Sequence, residues 1–314
     1  LLSLDAEVSI IDGLQVNNVT SVIGNSDNLP YPKLAYTVLN ERIDLINKSE
    51  VNFYVQDARN YHALSSLISK INPQVIIHLA AVSHANRSNK NPYSTFDHSL
   101  RTLENALDNA KNKIEHFIYF SSSMVYGNFN SKSVNEETPC NPLGIYGTLK
   151  YSGELIVKAY NRVFDMPYTI IRPSALYGER CVSRRVSQIF IENAVQGLDI
   201  TINGDGDDKL DFTYIDDLIQ GTTLVIENDK ARNETFNLTY GEARSVGEIA
   251  EILKNHFKDI NINYLPKDSL TPDRGTLNIK KAQELLGYKP TYSIDTGYPN
   301  YIQWYMNLWD ALKN

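Results

Sequence analysis

No apolar run in this sequence reaches the ~18 residues needed to cross a bilayer, and the first residues lack the basic-then-apolar pattern of a secretory leader. Together these absences imply no membrane partner and a cytoplasmic location. Cysteine is nearly absent: Cys140 and Cys181 are the only two in 314 residues, too few for a disulfide framework, and both read as free thiols. A surplus of positive charge is missing too. With 30 Lys and Arg against 37 Asp and Glu the net charge is -7, which argues against nucleic-acid binding, because neutralising phosphates takes a basic surface. His78 and His84 have no second His, Cys or carboxylate at ligand spacing, so both read as structural rather than as metal ligands. The acidic stretch Asn203 to Lys209 lacks the alternating pattern of a calcium loop and reads as a turn.

What is present is the composition of a globular protein, 42% hydrophobic and 21% charged, with length enough for a nucleotide-binding domain and a smaller lobe. Short β-branched runs alternate with longer helical stretches, the pattern of βαβ units. Val8 to Ile11, Val51 to Val55, Val75 to Leu79, Phe117 to Phe120 and Tyr168 to Ile171 read as strands. Tyr61 to Ile71, Pro92 to Ala110 and Leu149 to Phe164 carry apolar residues at helical spacing. The fold class is therefore α/β, a doubly wound parallel sheet expected to be covered on both faces. Beyond Pro173 the alternation weakens. Ser187 to Gln196 reads as a helix, Ile200 to Ile202 and Asp211 to Ile215 as strands, and Ser245 with Glu248 forms a capping box that opens a helix to His256. The boundary falls at 172: residues 1–172 form the Rossmann domain, and 173–314 mainly a substrate lobe with some segments returning to the first domain.

The first strand ends on Asp12, the place where a second Rossmann strand presents an acid to a cofactor ribose. On that reading Leu1 to Leu4 are the tail of a preceding helix, and the first strand with its glycine-rich turn is absent from the sequence. Gly204 and Gly206 precede a strand and do not supply that turn.

Tyr146 and Lys150 stand four residues apart, one helical turn on the same face. A neighbouring cation favours the phenolate and brings a tyrosine toward the range of a general base. Upstream, the apolar strand Phe117 to Phe120 runs into Ser121-Ser122-Ser123-Met124-Val125-Tyr126-Gly127, which puts hydroxyls at the carboxyl end of a strand, the edge where open α/β sheets bind ligands.

The sequence resembles the extended short-chain dehydrogenases/reductases, and within them the NAD-dependent sugar epimerase/dehydratase group. The resemblance spans nearly the whole chain and rests on Asp12 after a strand, Asp57 in VQDARN, HLAA at His78 to Ala81, SSSMVYG, YGTLK, Arg172-Pro173 with Tyr177-Gly178, DFTYIDD at Asp211 to Asp217, and Asp273-Arg274. It implies NAD as cofactor, with Asp12 on the adenosine ribose and NAD preferred to NADP, Asp57 near the adenine, Leu79, Ala80 and Ala81 against the central portion, and Ser174 near the nicotinamide. It also implies Tyr146 as catalytic base, Lys150 as its partner on the cofactor ribose, and Ser122, three residues before Val125, as the hydroxyl that polarises the reacting oxygen. A homodimer paired through 92–110 and 149–164 is the family habit.

The substrate implied is a nucleotide-diphosphate sugar. Arg274 is the candidate for its pyrophosphate, since a guanidinium offers a forked donor set. The family's second arginine, just before the DF of its DFTYIDD segment, is replaced by Leu210, with Lys209 beside it as a possible substitute. Arg184 and Arg185 read as a solvated pair, with substrate contact by Arg185, and an acidic sugar, as the alternative. In the related 4,6-dehydratases an Asp-Glu pair follows the catalytic hydroxyl residue. Ser123 and Met124 stand there instead, Ser123 within reach of substrate and Met124 unable to move a proton. Epimerisation through a transient keto-sugar is the leading expectation. A reductase or dehydrogenase is the alternative, and a non-catalytic nucleotide-binding relative the second.

Overall fold

The computed structural model describes residues 1–15, 18–23, 30–83, 85–267 and 271–313; His84 lies outside them. Strand β1 (Val8–Asp12) is followed by helix α1 (Pro32–Asn47). Then come β2 (Val51–Val55), α2 (Tyr61–Ile71) and β3 (Val75–His78). Helix α3 runs through Pro92–Phe96, a π-helical turn at Asp97–Arg101, and Thr102–Ala110. It is followed by β4 (His116–Phe120), α4 (Ile145–Phe164), β5 (Tyr168–Arg172) and, after a long excursion, β6 (Glu234–Asn237). All of these strands pair in parallel, β1 with β2 and the rest in the order β3-β4-β5-β6.

The period of two along β4 explains the double winding. Phe117 and Tyr119 face α3 and α4, packing with Leu103, Leu107, Val157 and Ile170. Ile118 faces the other way, into a cluster with Ile171, Leu218, Val225, Phe236 and Leu286. That second cluster joins Ile118 and Ile171 of the sheet to residues beyond 173. Coverage is less complete than expected. Strands β4 and β5 are buried along nearly their whole length, whereas β1, β2 and most of β3 are partly exposed. Among the described residues β1 pairs with β2 alone and β3 with β4 alone, and an edge strand has no neighbour to cover its flank.

Several helices were not read from the sequence, α1 and the last one among them. In α1, Pro32 occupies the first turn, where its missing N–H costs nothing. Leu34 and Val38, one turn apart, are buried with Phe190, Ile202 and Tyr298. The last helix, Ile294–Lys313, carries Pro299 inside it and buries Tyr298, Tyr301 and Tyr305 in the same cluster. Tertiary packing, rather than propensity, holds both. The expected strand Asp211 to Ile215 is in fact broken. Lys209–Asp211 pairs antiparallel with Ala243–Ser245, Thr213–Tyr214 pairs in parallel with Leu176–Tyr177, and Ile215 already opens a helix to Glu227. The chain changes partners at buried Phe212. The capping box forms as read, with Glu248 N donating to Ser245 Oγ at 3.1 Å and Ser245 N to Glu248 Oε2 at 2.6 Å. Asn203 ends one strand and Lys209 opens the next, and between them the chain bends and carries Asp208, which pairs with Lys267.

Candidate active site

The carboxyl ends of β1 to β5 gather most of the residues singled out above. Asp12 and Val55 are register partners at the ends of β1 and β2. Asp12 Oδ1 accepts the Leu14 N–H at 2.6 Å, so this acid closes its own turn. Asp57 is gripped by Arg59 at 2.6 Å, and that bond holds its carboxyl down at about 2. Arg59 also reaches Asp97 on α3 at 2.8 Å. Helix α3 steadies both loops from below: Asn105 Nδ2 donates to the carbonyls of Ala58 and Arg59, and Thr102 Oγ1 to that of Ala80. Next to Ala80, Leu79 is 64% exposed, an apolar side chain at a strand end with room for a planar partner.

His78 is buried between Phe117 and Tyr119, with Nε2 unpartnered among the described residues. Burial, aided by the charge of Lys150, pushes it down to about 3, so it is neutral.

Beyond β4 the chain turns sharply. Ser122 caps a 3₁₀ turn at Ser123–Tyr126, its Oγ accepting from Met124 N at 3.2 Å and leaving the O–H to donate. Helix α4 starts at Ile145, four residues before the expected Leu149, so Tyr146 and Lys150 both lie within it. Gly147 permits the approach: a Cβ there would stand 2.6 Å from the Met124 carbonyl oxygen. Gly153 does the same farther along, where a Cβ would meet Tyr119 Oη at 2.2 Å. These two glycines let α4 rest directly on β4 and on the serine turn. Lys150 Nζ donates to the Phe120 carbonyl at 2.7 Å and lies 5.3 Å from the centre of the Tyr119 ring. Its burial pushes it down to about 8. Ser174 follows β5 and is buried, its Oγ without a partner among the described residues. Its neighbour Pro173 accepts the Ser123 N–H at 2.9 Å, which ties Ser174 to the same turn.

The arginines do not form a solvated pair. Arg184 binds buried Glu192 at 2.8 Å, whereas Arg185 donates to the Ser83 carbonyl in the loop after β3. The reason is that Arg185 caps the helix Val186–Ala194 in extended conformation while Arg184 has a φ of 49°, so successive side chains diverge. Arg274 is pushed down to about 10 by burial and by the charge of Arg185, and its Nε is buried without a partner among the described residues. The charge of Arg185 acting on buried Arg274 makes a setting that favours an anion. Asp211 braces the segment carrying Arg274. Its buried carboxylate accepts from Leu277 N, Gly241 N and Thr239 Oγ1 at 3.0–3.1 Å, while desolvation raises it to about 7. Lys209 is exposed on its strand while Leu210 turns inward.

The sequence reading passed over Arg59 and Glu154. A signal existed for the second: Glu154 lies one turn past Lys150 on the same face of α4, and it is fully buried there.

A doubly wound parallel sheet whose strand ends collect an acid, a serine turn and a Tyr-x-x-x-Lys helix is the arrangement of the extended short-chain dehydrogenases/reductases. The chain belongs to the NAD-dependent epimerase/dehydratase family, whose model matches residues 24–239. An uncharacterized UDP-glucose epimerase of Bacillus subtilis is 31% identical over 253 residues, 79% of this chain and 78% of the relative. A UDP-glucuronate 4-epimerase of Thermodesulfobacterium geofontis is 28% identical over 272 residues, 84% of this chain and 82% of the relative. The crystal structure of UDP-glucuronic acid 4-epimerase from Bacillus cereus in complex with UDP-glucuronic acid and NAD aligns with a TM-score of 0.86 at 29% identity, covering 98% of this chain and 94% of that one. Among the described residues no helix is long and apolar enough to cross a membrane.

Proposed function

We propose that this protein is an NAD-dependent epimerase of a nucleotide-diphosphate sugar, and that the sugar carrier is uridine diphosphate. The observation that carries the reading is the packing of the serine turn onto the first turn of α4, with Gly147 against the Met124 carbonyl. Tyr146 acts as the base that takes the proton of the sugar hydroxyl, assisted by Lys150 one turn along the same helix. Ser122, with its O–H free to donate, steadies the oxygen as it becomes a carbonyl. Met124, beside it, has no proton to move, so the keto-sugar is not carried on to dehydration.

The residues fit the cofactor. The unpartnered Ser174 hydroxyl, exposed Leu79 and the acid at the end of β1 are suited to an amide, a ring and a ribose hydroxyl respectively. Asp12 favours the unphosphorylated ribose. The chemistry that NAD supplies when bound is reversible hydride uptake from the sugar carbon. Arg274 and Arg185 take the diphosphate. Support for UDP comes from the relatives above.

Incubation with UDP-glucose, UDP-galactose, UDP-glucuronate and UDP-galacturonate tests the proposal. The expected result is conversion of at least one of them to its C4 epimer with no net change in NADH absorbance. Stoichiometric NADH release, or consumption of NADPH, would assign the protein to the dehydrogenases or reductases instead.

The same helices supply an assembly surface. On α3 and α4, which pack side by side, Tyr93 is 85% exposed, Val163 is 69% exposed, and Phe96 and Leu155 are also outward-facing. Apolar side chains clustered in this way mark interaction surfaces, and the reading is a homodimer through a four-helix contact in a compartment that keeps Cys140 and Cys181 reduced. Light scattering at micromolar concentration is expected to give twice the chain mass, and Leu155→Glu to halve it. A parent protein of single-chain mass would count against the dimer.

A further inference from the structure

Beneath the serine turn lies a buried polar network that the proposed chemistry leaves unexplained. Glu154 on α4 is 0% exposed. Its Oε1 accepts from Arg172 Nε at 2.9 Å and from Ser121 Oγ at 2.5 Å, and its Oε2 from Arg172 Nη2 at 2.7 Å. Arg172, the last residue of β5, extends its other nitrogen to Tyr126 Oη at 2.9 Å and to the Glu136 carbonyl at 3.3 Å. Tyr126 Oη donates onward to Asn237 Oδ1 at 2.8 Å, at the end of β6.

The placement of these bonds along the chain is informative. Phe120 is held by Lys150, Ser121 by Glu154, and Tyr126 by Arg172. The segment that carries Ser122 is therefore pinned on both sides by one ion pair, and one member of that pair belongs to the helix of Tyr146 and Lys150. A buried ion pair adds little net stability, because desolvating two charges offsets their attraction. Its bidentate geometry does set distance and direction.

We propose that Glu154, clamped by Arg172, is a positioning residue that fixes the Ser122 turn against the Tyr146–Lys150 helix and supplies the countercharge that keeps Lys150 an ammonium. The inference rests on the proposed epimerase reading for its kinetic part only. The groups facing Lys150 are Tyr119 on β4, His78 on β3, and Tyr146 and Glu154 on its own helix. His78 is neutral through burial, and burial keeps the Tyr119 phenol protonated. Glu154, one turn further along the same buried face of α4, is the carboxylate whose charge favours the charged lysine.

Two variants separate the two parts. Ser121→Ala cuts the tether and leaves the charge, so kcat should fall about 10-fold with the alkaline limb of its pH profile unmoved, since misplacement of ~1 Å costs up to ~10²-fold. Glu154→Gln removes the charge as well, so kcat should fall about 10²-fold and the alkaline limb should move to lower pH by about one unit. Glu154→Asp, which retains the charge with a shorter reach, should restore the limb but not the full rate. The readout that needs no turnover is the titration of the Lys150 ammonium by NMR of lysine-labelled protein, its signal assigned by its loss in Lys150→Met. Its midpoint should drop in Glu154→Gln and stay at the parental value in Ser121→Ala. A parent inactive on every nucleotide sugar would sink the epimerase reading and leave this titration intact as a test. The positioning role is overturned by parental kcat in Ser121→Ala, and the countercharge by an unmoved Lys150 midpoint in Glu154→Gln. Should that last variant fail to fold, an alkaline limb displaced to lower pH in Glu154→Asp overturns the countercharge.

Discussion

Tyr146→Phe is expected to leave the fold and ligand binding intact while lowering turnover by roughly 10²–10⁴-fold, the range for loss of a general base. The ring of Tyr146 is largely buried at the start of α4, so its packing survives the change. Its hydroxyl takes no protein hydrogen bond among the described residues, so removing it orphans no buried partner. A purely structural tyrosine would show the opposite pattern, with a lower melting temperature and unaltered kcat. Near-parental turnover in the variant would exclude Tyr146 as the base. Binding of UDP and NAD by calorimetry, unchanged in the variant, separates lost chemistry from lost affinity.

Lys150→Met should damage two functions at once. Burial holds this ammonium at about 8, so at neutral pH it is mostly charged and can favour the Tyr146 phenolate. Turnover should fall by at least ~10²-fold. NAD affinity should fall by about 10- to 100-fold, the worth of a hydrogen bond from a charged donor. The sign of the pH effect follows from the direction of the shift. A lysine held below its ordinary value loses its proton earlier, so parental turnover should decline as pH climbs through about 8. Stability runs the other way. The folded state carries a buried cation that the unfolded chain would solvate, a cost present at neutral pH and relieved as pH rises from about 8 toward 10.5. The variant loses that cost but orphans the Phe120 carbonyl, and the two effects oppose each other. Its melting temperature should therefore stay within a few degrees of the parent's while its activity is lost. Unchanged NAD affinity would show that the lysine does not touch the cofactor.

Much of the architecture was legible because two periods carry it. Phe117 to Phe120 and Tyr168 to Ile171 are short, apolar and β-branched or aromatic, and each became a buried strand within a residue of its reading. Ser245 and Glu248 announced a helix start by chemistry that acts over three residues. Helix α1 escaped because its burial is earned across the chain, against residues such as Phe190 and Tyr298 more than 150 positions away. The break at Phe212 escaped for the same reason: which strand each half pairs with depends on Ala243–Ser245 and Leu176–Tyr177, not on neighbours in sequence.

At the site the division has the same cause. The sequence by itself determined the chemical inventory: a phenol and an ammonium one turn apart, a serine run at a strand end, an acid closing the first strand, and a methionine where proton transfer would be needed. Those are facts of residue type and local spacing, and helix and strand geometry convert them into shared faces without further help. The tertiary structure alone decided how these pieces meet. It sent Arg184 to Glu192 and Arg185 to the Ser83 carbonyl, and placed Glu154 where it holds Ser121 and, through Arg172, Tyr126. The physical reason is range. Residue type and spacing act over a turn or a strand pair, whereas a buried charge must find its partner wherever the fold brings one, and the cost of leaving it unpaired makes that partner part of the fold.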